Sequence, residues 1–230
     1  MIFSKTLRFE GFTLGRPKNT QNRDLIAKTA FNLFLNKGYN KTSYKDIADN
    51  SSNERTLIQY YFPKKELLIT DFLNKLLSLS EQYITEKSLK SDNNFINLYI
   101  IGQIHFSFLL MNDEMKTLTL DIVSNRAITK EIVFFNENWV FSFFNLSAEL
   151  NKELSDDIVM IMGGTYELIY RYISKSESLN VPNLLKKIML HFLTAMGHEN
   201  SIYRELLSSH ALSEETLCEA NSYLKTALLK

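Results

Sequence analysis

TSYKDIADNSSNERTLIQYYFPKK, residues 42–65, reads as two short helices across a polar break, closed by a proline. Ser43 with Asp46 three residues on is a capping-box-like start, because each side chain can accept from a free N–H of the first turn. Tyr44, Ile47 and Ala48 then form one apolar stripe at helical spacing. Asn50, Ser51, Ser52 and Asn53 interrupt it, since such side chains bond nearby backbone and favour turns and caps over helix interiors. Ile58 and Phe62, one turn apart, give the second helix its inward face, and Pro63, lacking a donor, stops it or starts the next. Two short helices across a tight polar turn make a helix-turn-helix, whose second helix can lie in the DNA major groove.

Working outward, Leu25, Ile26, Ala30, Leu33 and Phe34 recur at three- and four-residue steps, which predicts an amphipathic helix over 21–37 that Gly38 ends in the usual C′ position. Residues 1–19 hold no sustained period; Gly15-Arg16-Pro17-Lys18 reads as an arm whose cations reach phosphates or a minor groove, or as a solvated tail. On the other side, Leu67, Leu68, Phe72, Leu76, Leu79 and Tyr83 predict a helix over 64–87, followed by a polar loop at 88–94. Further helical patterns cover 94–111, 113–124, 128–150, 155–175, 182–197, 201–209 and 213–229. With 7 glycines and 3 prolines in 230 residues there is little room for the tight turns of an all-β fold, so an all-α chain is expected.

Composition narrows the functional classes. A chain 45% hydrophobic and 23% charged reads as an ordinary soluble globular protein. Cys218 is the one cysteine, which rules out an internal disulfide, suits a reducing cytoplasm, and is expected half-buried or buried. No apolar core precedes Lys5 and Arg8, so no signal peptide is expected; the apolar run at 95–111 contains Asn97, Gly102, Gln103 and His105, too polar for a membrane span. Net charge is zero but uneven: residues 1–75 hold 13 Lys and Arg against 7 Asp and Glu, and the remainder 13 against 19. A basic front joined to an acidic remainder fits a DNA-binding head on a regulatory body. The four histidines lack metal-ligand spacing, and no phosphate loop or G-x-S-x-G nucleophile occurs, so neither an enzyme, a cofactor nor a metal is expected.

The first 70 residues resemble the N-terminal domain of TetR-family transcriptional regulators. The likeness rests on Gly15-Arg16-Pro17, Ala30, Leu33-Phe34, Gly38-Tyr39, Thr42-Ser43, Asp46-Ile47-Ala48, Tyr60-Tyr61-Phe62 and Lys65-Glu66-Leu67-Leu68. The chain departs from the family pattern at Ser52, where a glycine is usual, at Asn53 and Glu54, at Thr56-Leu57 and at Gln59; Ser51 with Glu54 can form an alternative capping box that starts the helix earlier. The resemblance implies an arm at 1–19, a helix-turn-helix domain at 20–66, and a helical effector-binding and dimerisation domain at 67–230. It further implies a homodimer, a double-stranded near-palindromic operator, and a repressor released by a small, largely apolar effector.

Packing claims Ile47, Ala48, Ile58 and Phe62, which leaves Asn53, Arg55, Thr56, Gln59 and Tyr60 to face outward. Arg reads guanine and Gln or Asn adenine through paired hydrogen bonds, so Arg55 and Gln59 are the expected base readers, with Thr56 or Leu57 against thymine methyls. Thr42, Tyr44, Tyr60, Tyr61 and Lys65 are the expected phosphate holders. Each of these also reads as a plain solvated side chain. In the aromatic body, Gln103, His105, Asn138, Tyr166 and Tyr170 are candidate polar anchors for an effector, beside Tyr99, Phe108 and Trp139; His105 equally suits a core histidine. By analogy with the family, 156–172 and 182–196 form the dimer face, where Gly163-Gly164 costs roughly 2 kcal/mol of helix propensity and so points to close helix approach or a kink. Two rival readings stay open: a body that binds a protein, and an all-helical enzyme with an incidental N-terminal motif.

Overall fold

In the computed structural model, which describes residues 20–147, 151–199, 203 and 207–229, the cap at Ser43 forms. The Ser43 hydroxyl accepts from the Asp46 N–H at 3.2 Å while the Asp46 carboxylate accepts from the Ser43 N–H at 2.7 Å. Helix α2 (Tyr44–Ser51) begins there, after α1 (Thr20–Lys37), and α3 (Arg55–Tyr61) follows across the turn. Then come α4 (Glu66–Glu86), α5 (Asn94–Leu109), α6 (Asp113–Ser124), α7 (Arg126–Phe143), α8 (Lys152–Ser174), α9 (Val181–Ala195) and a last helix, α10 (Glu214–Leu229). No strand occurs among the described residues, and the chain is all-α.

α4 organises the packing. Its buried Leu68, Ile69, Phe72, Leu76 and Tyr83 run along its length, and it packs on α1, α5, α7 and α10. Phe72 stacks on Phe31 of α1 with ring centroids 4.3 Å apart, and Tyr83 meets Tyr223 of α10 at 5.3 Å. α8 packs against α6, α7 and α9, and α9 against α5. Gly102 permits the α5–α9 approach: a Cβ there would come within 2.6 Å of the Leu185 Cδ1.

Several boundaries and faces differ from the sequence reading. α1 buries Ile26, Ala30, Phe31 and Phe34, whereas Leu25 is 46% exposed, because the face toward α4 is centred nearer Phe31 than periodicity alone suggests. α7 ends at Phe143, short of the expected 150, where Asn145 turns left-handed (φ 54°) and the Leu146 N–H returns to the Phe141 carbonyl at 2.8 Å. It starts earlier than 128 because the Asn125 side chain caps the Ala127 N–H. Ser155 lies inside α8 and donates to Glu137 of α7 at 2.5 Å. Cys218 is exposed: α10 buries Ala220, Leu224 and Leu228, and Cys218 sits off that stripe. The N-terminal arm lies outside the described residues; of the helix expected over 201–209, Tyr203 and residues 207–209 are helical and the rest lies outside them.

Candidate nucleic-acid interface

The α2–α3 turn is built by Ser52, which takes the left-handed φ of 52° where the family pattern has glycine, and sends its N–H to the Ala48 carbonyl. Ser51 therefore ends α2, and no Ser51–Glu54 box forms; Glu54 is the N-cap of α3 without a side-chain cap bond. α3 buries Ile58 and Tyr61 and turns Glu54, Arg55, Thr56, Gln59 and Tyr60 to the surface. Arg55 and Gln59 thus both point outward on one short helix, one turn apart. Thr56 donates to the Glu54 carboxylate at 3.2 Å, and Tyr60, 51% exposed, rests edge-on against Tyr61. The half-buried Asn53 spends its amide on the Ser51 carbonyl at 2.8 Å.

The expected phosphate set is largely turned inward. Thr42 is buried and donates to the Gly38 carbonyl at 2.8 Å, satisfying the loop after α1. Tyr61 is core. The Tyr44 hydroxyl donates to the Phe62 carbonyl at 2.7 Å, tying α2 to the end of α3. Lys65 donates to the Tyr39 and Thr42 carbonyls at 2.9 and 3.1 Å and lies 3.9 Å over the Tyr39 ring, and burial pushes its ammonium pKa down. Its side chain thus staples the α1–α2 loop to the foot of α4. Exposed cations nearby are Lys41 and Lys45, which flank the first turn of α2.

Links between the first three helices and the rest were absent from the sequence reading. Asp121 of α6 accepts from the Tyr39 N–H at 3.0 Å and from the Asn40 amide at 3.1 Å. Arg23 of α1 pairs with Asp71 of α4 and lies 5.1 Å over the Phe62 ring. Lys64 reaches Glu131 of α7 at 3.4 Å. Nothing local in the sequence marks these partners, which meet only in three dimensions.

Between α4, α5, α7, α8 and α9 lies a cavity of about 80 Å³. Of the expected anchors, His105 and Trp139 line it, and Tyr166 abuts it by accepting from the lining Asn136 at 2.5 Å. The others lie elsewhere. Tyr99 and Phe108 are core; Gln103 is buried, its amide donating to the His210 carbonyl at 3.2 Å and accepting from the Leu212 N–H at 2.8 Å. Asn138 donates to the Phe134 carbonyl of its own helix, and Tyr170 is on the outer side of α8. Asn136 was missed because an asparagine in an aromatic helix gives no signal of which way it faces. Among the described residues, no group of His, Cys, Asp and Glu could hold a metal, and no single helix is long and apolar enough to cross a membrane.

α2, the Ser52 turn and α3 are therefore a helix-turn-helix at the front of an all-helical chain. Its likenesses are partial. Over 54 residues, 24% of the chain, it is 41% identical to an HTH-type transcriptional regulator, YuxN, of Bacillus subtilis, and that match spans 19% of the relative's length. The fatty acid degradation regulator FadR of Bacillus halodurans, at 16% identity, aligns with 80% of this chain and 100% of its own, with a TM-score of 0.43. No protein-family model matches the chain.

Proposed function

We propose that this protein is a transcription regulator of the TetR kind: a homodimeric repressor whose paired α3 helices read a near-palindromic operator and whose body takes a small effector. The division into an arm at 1–19, a DNA-binding head at 20–66 and an effector and dimer domain at 67–230 is part of that reading. The observation that carries it is the outward face of α3, which offers Arg55, Thr56, Gln59 and Tyr60 together while Ile58 and Tyr61 anchor the helix behind them. The stretch of identity to an HTH-type regulator supports the same reading. In it, Arg55 and Gln59 read bases, Tyr60 touches the backbone, and Lys41 and Lys45 take the phosphate role expected of Thr42 and Lys65.

Dimerisation is supported by the outer side of α8. Val159, Met160, Leu168 and Tyr170 are exposed there, and neither Gly163 nor Gly164 has an atom within 4 Å of a built Cβ. Two exposed glycines that meet no other helix among the described residues suit the close approach of a second helix. Two such heads would sit about 34–36 Å apart on adjacent major grooves. An effector in the cavity shifts the equilibrium between DNA-competent and misspaced dimers only by its differential affinity for the two, with α4 and the Asp121 link as the physical route to the head.

The test is a mobility shift of the full chain on the intergenic DNA beside its own coding sequence. Binding is expected at low salt, falling steeply between about 50 and 200 mM. Arg55→Ala should lower the preference for that DNA over a scrambled duplex by about 1–3 kcal/mol. Absence of any shift at low salt would overturn the proposal.

A further inference from the structure

We infer that Glu54, at the start of α3, is a further base-reading residue, and that the base it selects is cytosine. This deepens the proposed function and rests on its reading of α3 as the helix that enters the major groove.

Local stability does not account for this side chain. Glu54 is the N-cap of α3, where Ser, Thr, Asp or Asn would accept from a first-turn N–H and support a helix of only seven residues. The Glu54 side chain makes no such bond. Among the described residues, no Lys or Arg pairs with its carboxylate. Its side-chain bond is to a neighbour on the outward face. The Thr56 hydroxyl donates to Oε2 at 3.2 Å, which holds the carboxylate beside Thr56 on the exposed side of α3 and leaves Oε1 open to a donor from outside. Reading helices present their first residues to base edges, so Glu54 stands beside Arg55 where sequence is read.

The charge decides which base. An ionised carboxylate only accepts hydrogen bonds. In the major groove guanine offers the acceptors N7 and O6, and thymine offers the acceptor O4 and a methyl group, so neither gives a carboxylate a partner. Adenine has an amino donor but sets the N7 acceptor beside it. Cytosine alone presents a donor, its N4 amino group, with no acceptor of its own. A carboxylate left unpaired between two rows of phosphates costs affinity. Glu54 therefore discriminates as much by penalty at the wrong bases as by its bond at the right one. Arg55 carries the complementary chemistry, a fork of N–H donors that suits guanine. An acid and a cation side by side on the reading helix call for a half-site that contains G·C pairs.

The full chain is used to select duplexes from a randomised library at low salt, and Glu54→Ala and Glu54→Gln are taken through the same selection. Glu54 is exposed, so neither change disturbs packing, and glutamine keeps an oxygen for the Thr56 hydroxyl. The wild type is expected to enrich a half-site with a C·G pair at which Glu54→Ala has no preference and Glu54→Gln moves toward A·T, since glutamine suits adenine. On duplexes that differ only at that pair, the wild type should favour C·G by about 5- to 100-fold and Glu54→Ala by less than about twofold. The ratio is the readout, because removing a carboxylate raises affinity for any DNA. If Glu54→Ala selects the same sequence as the wild type and only binds every duplex more tightly, Glu54 is a plain repulsive charge. That result overturns the inference and leaves the regulator reading standing. A preference lost only at pairs where the wild type does not select C·G overturns it as well. Failure of the wild type to enrich any sequence overturns the regulator reading, and this inference with it.

Discussion

Ser52 holds a left-handed φ of 52° at an exposed turn, a conformation that costs an L-residue about 1–2 kcal/mol and glycine almost nothing. Ser52→Gly should therefore stabilise the protein by about 0.5–1 kcal/mol after the added chain entropy of glycine, read as a higher urea midpoint with an unchanged slope. His105 gives the opposite kind of test. Its pKa is lowered to about 4 in the fold against 6.5 for the free group, so the unfolded chain binds the proton first as the solution is acidified. Its contribution is complete above pH 6.5 and is lost as pH falls toward 4, by up to about 3 kcal/mol. Urea unfolding at pH 7 and pH 4.5 should show this loss, and His105→Phe should flatten that part of the profile.

Helix α3 has seven residues and no side-chain cap, too little to hold itself in water. It exists because Ile58 and Tyr61 are buried against its neighbours and the Tyr44 hydroxyl secures the Phe62 carbonyl. The foot of α4 does similar work through Lys65, which holds two carbonyls of the α1–α2 loop. Lys65→Met keeps the stem and removes those bonds. It should lower stability by about 1 kcal/mol, allowing for partial exposure, while leaving the salt dependence of DNA binding unchanged. A reduced salt slope with unchanged stability would instead return Lys65 to the phosphate. Periodicity signalled a helix at α1 and its buried Ile26, Ala30 and Phe34, yet put Leu25 on the wrong side. A stripe read from one helix gives a direction only to within a residue, and the partner, here Phe72 stacked on Phe31, fixes it.

For the whole molecule the outer side of α8 is the open question of assembly. Met160 is 67% exposed within the chain, so Met160→Glu should leave the subunit folded and, if that side is the dimer face, dissociate it. Sedimentation velocity should then show a dimer for the wild type and a monomer for the variant, with loss of the shift on near-palindromic DNA. A wild-type monomer would sink the dimer and favour a body that docks another protein.

The sequence alone determined what is local: an all-helical chain, the cap at Ser43, the glycine stop at Gly38, a polar break within 50–53 (though Asn50 and Ser51 still belong to α2), and Arg55 with Gln59 on the outer side of a short helix. These follow from spacing within one or two turns, which any single chain displays. Tertiary structure alone decided which polar groups are spent. Thr42, Lys65 and Gln103 carry the same donors whether they face water or a carbonyl, and the choice was made by residues remote in the chain. Asp121 meets Tyr39 across 82 positions, and Gln103 meets Leu212 across 109. Such pairings leave no mark on local pattern, because hydrogen-bonding capacity is a property of the residue and its satisfaction a property of the fold.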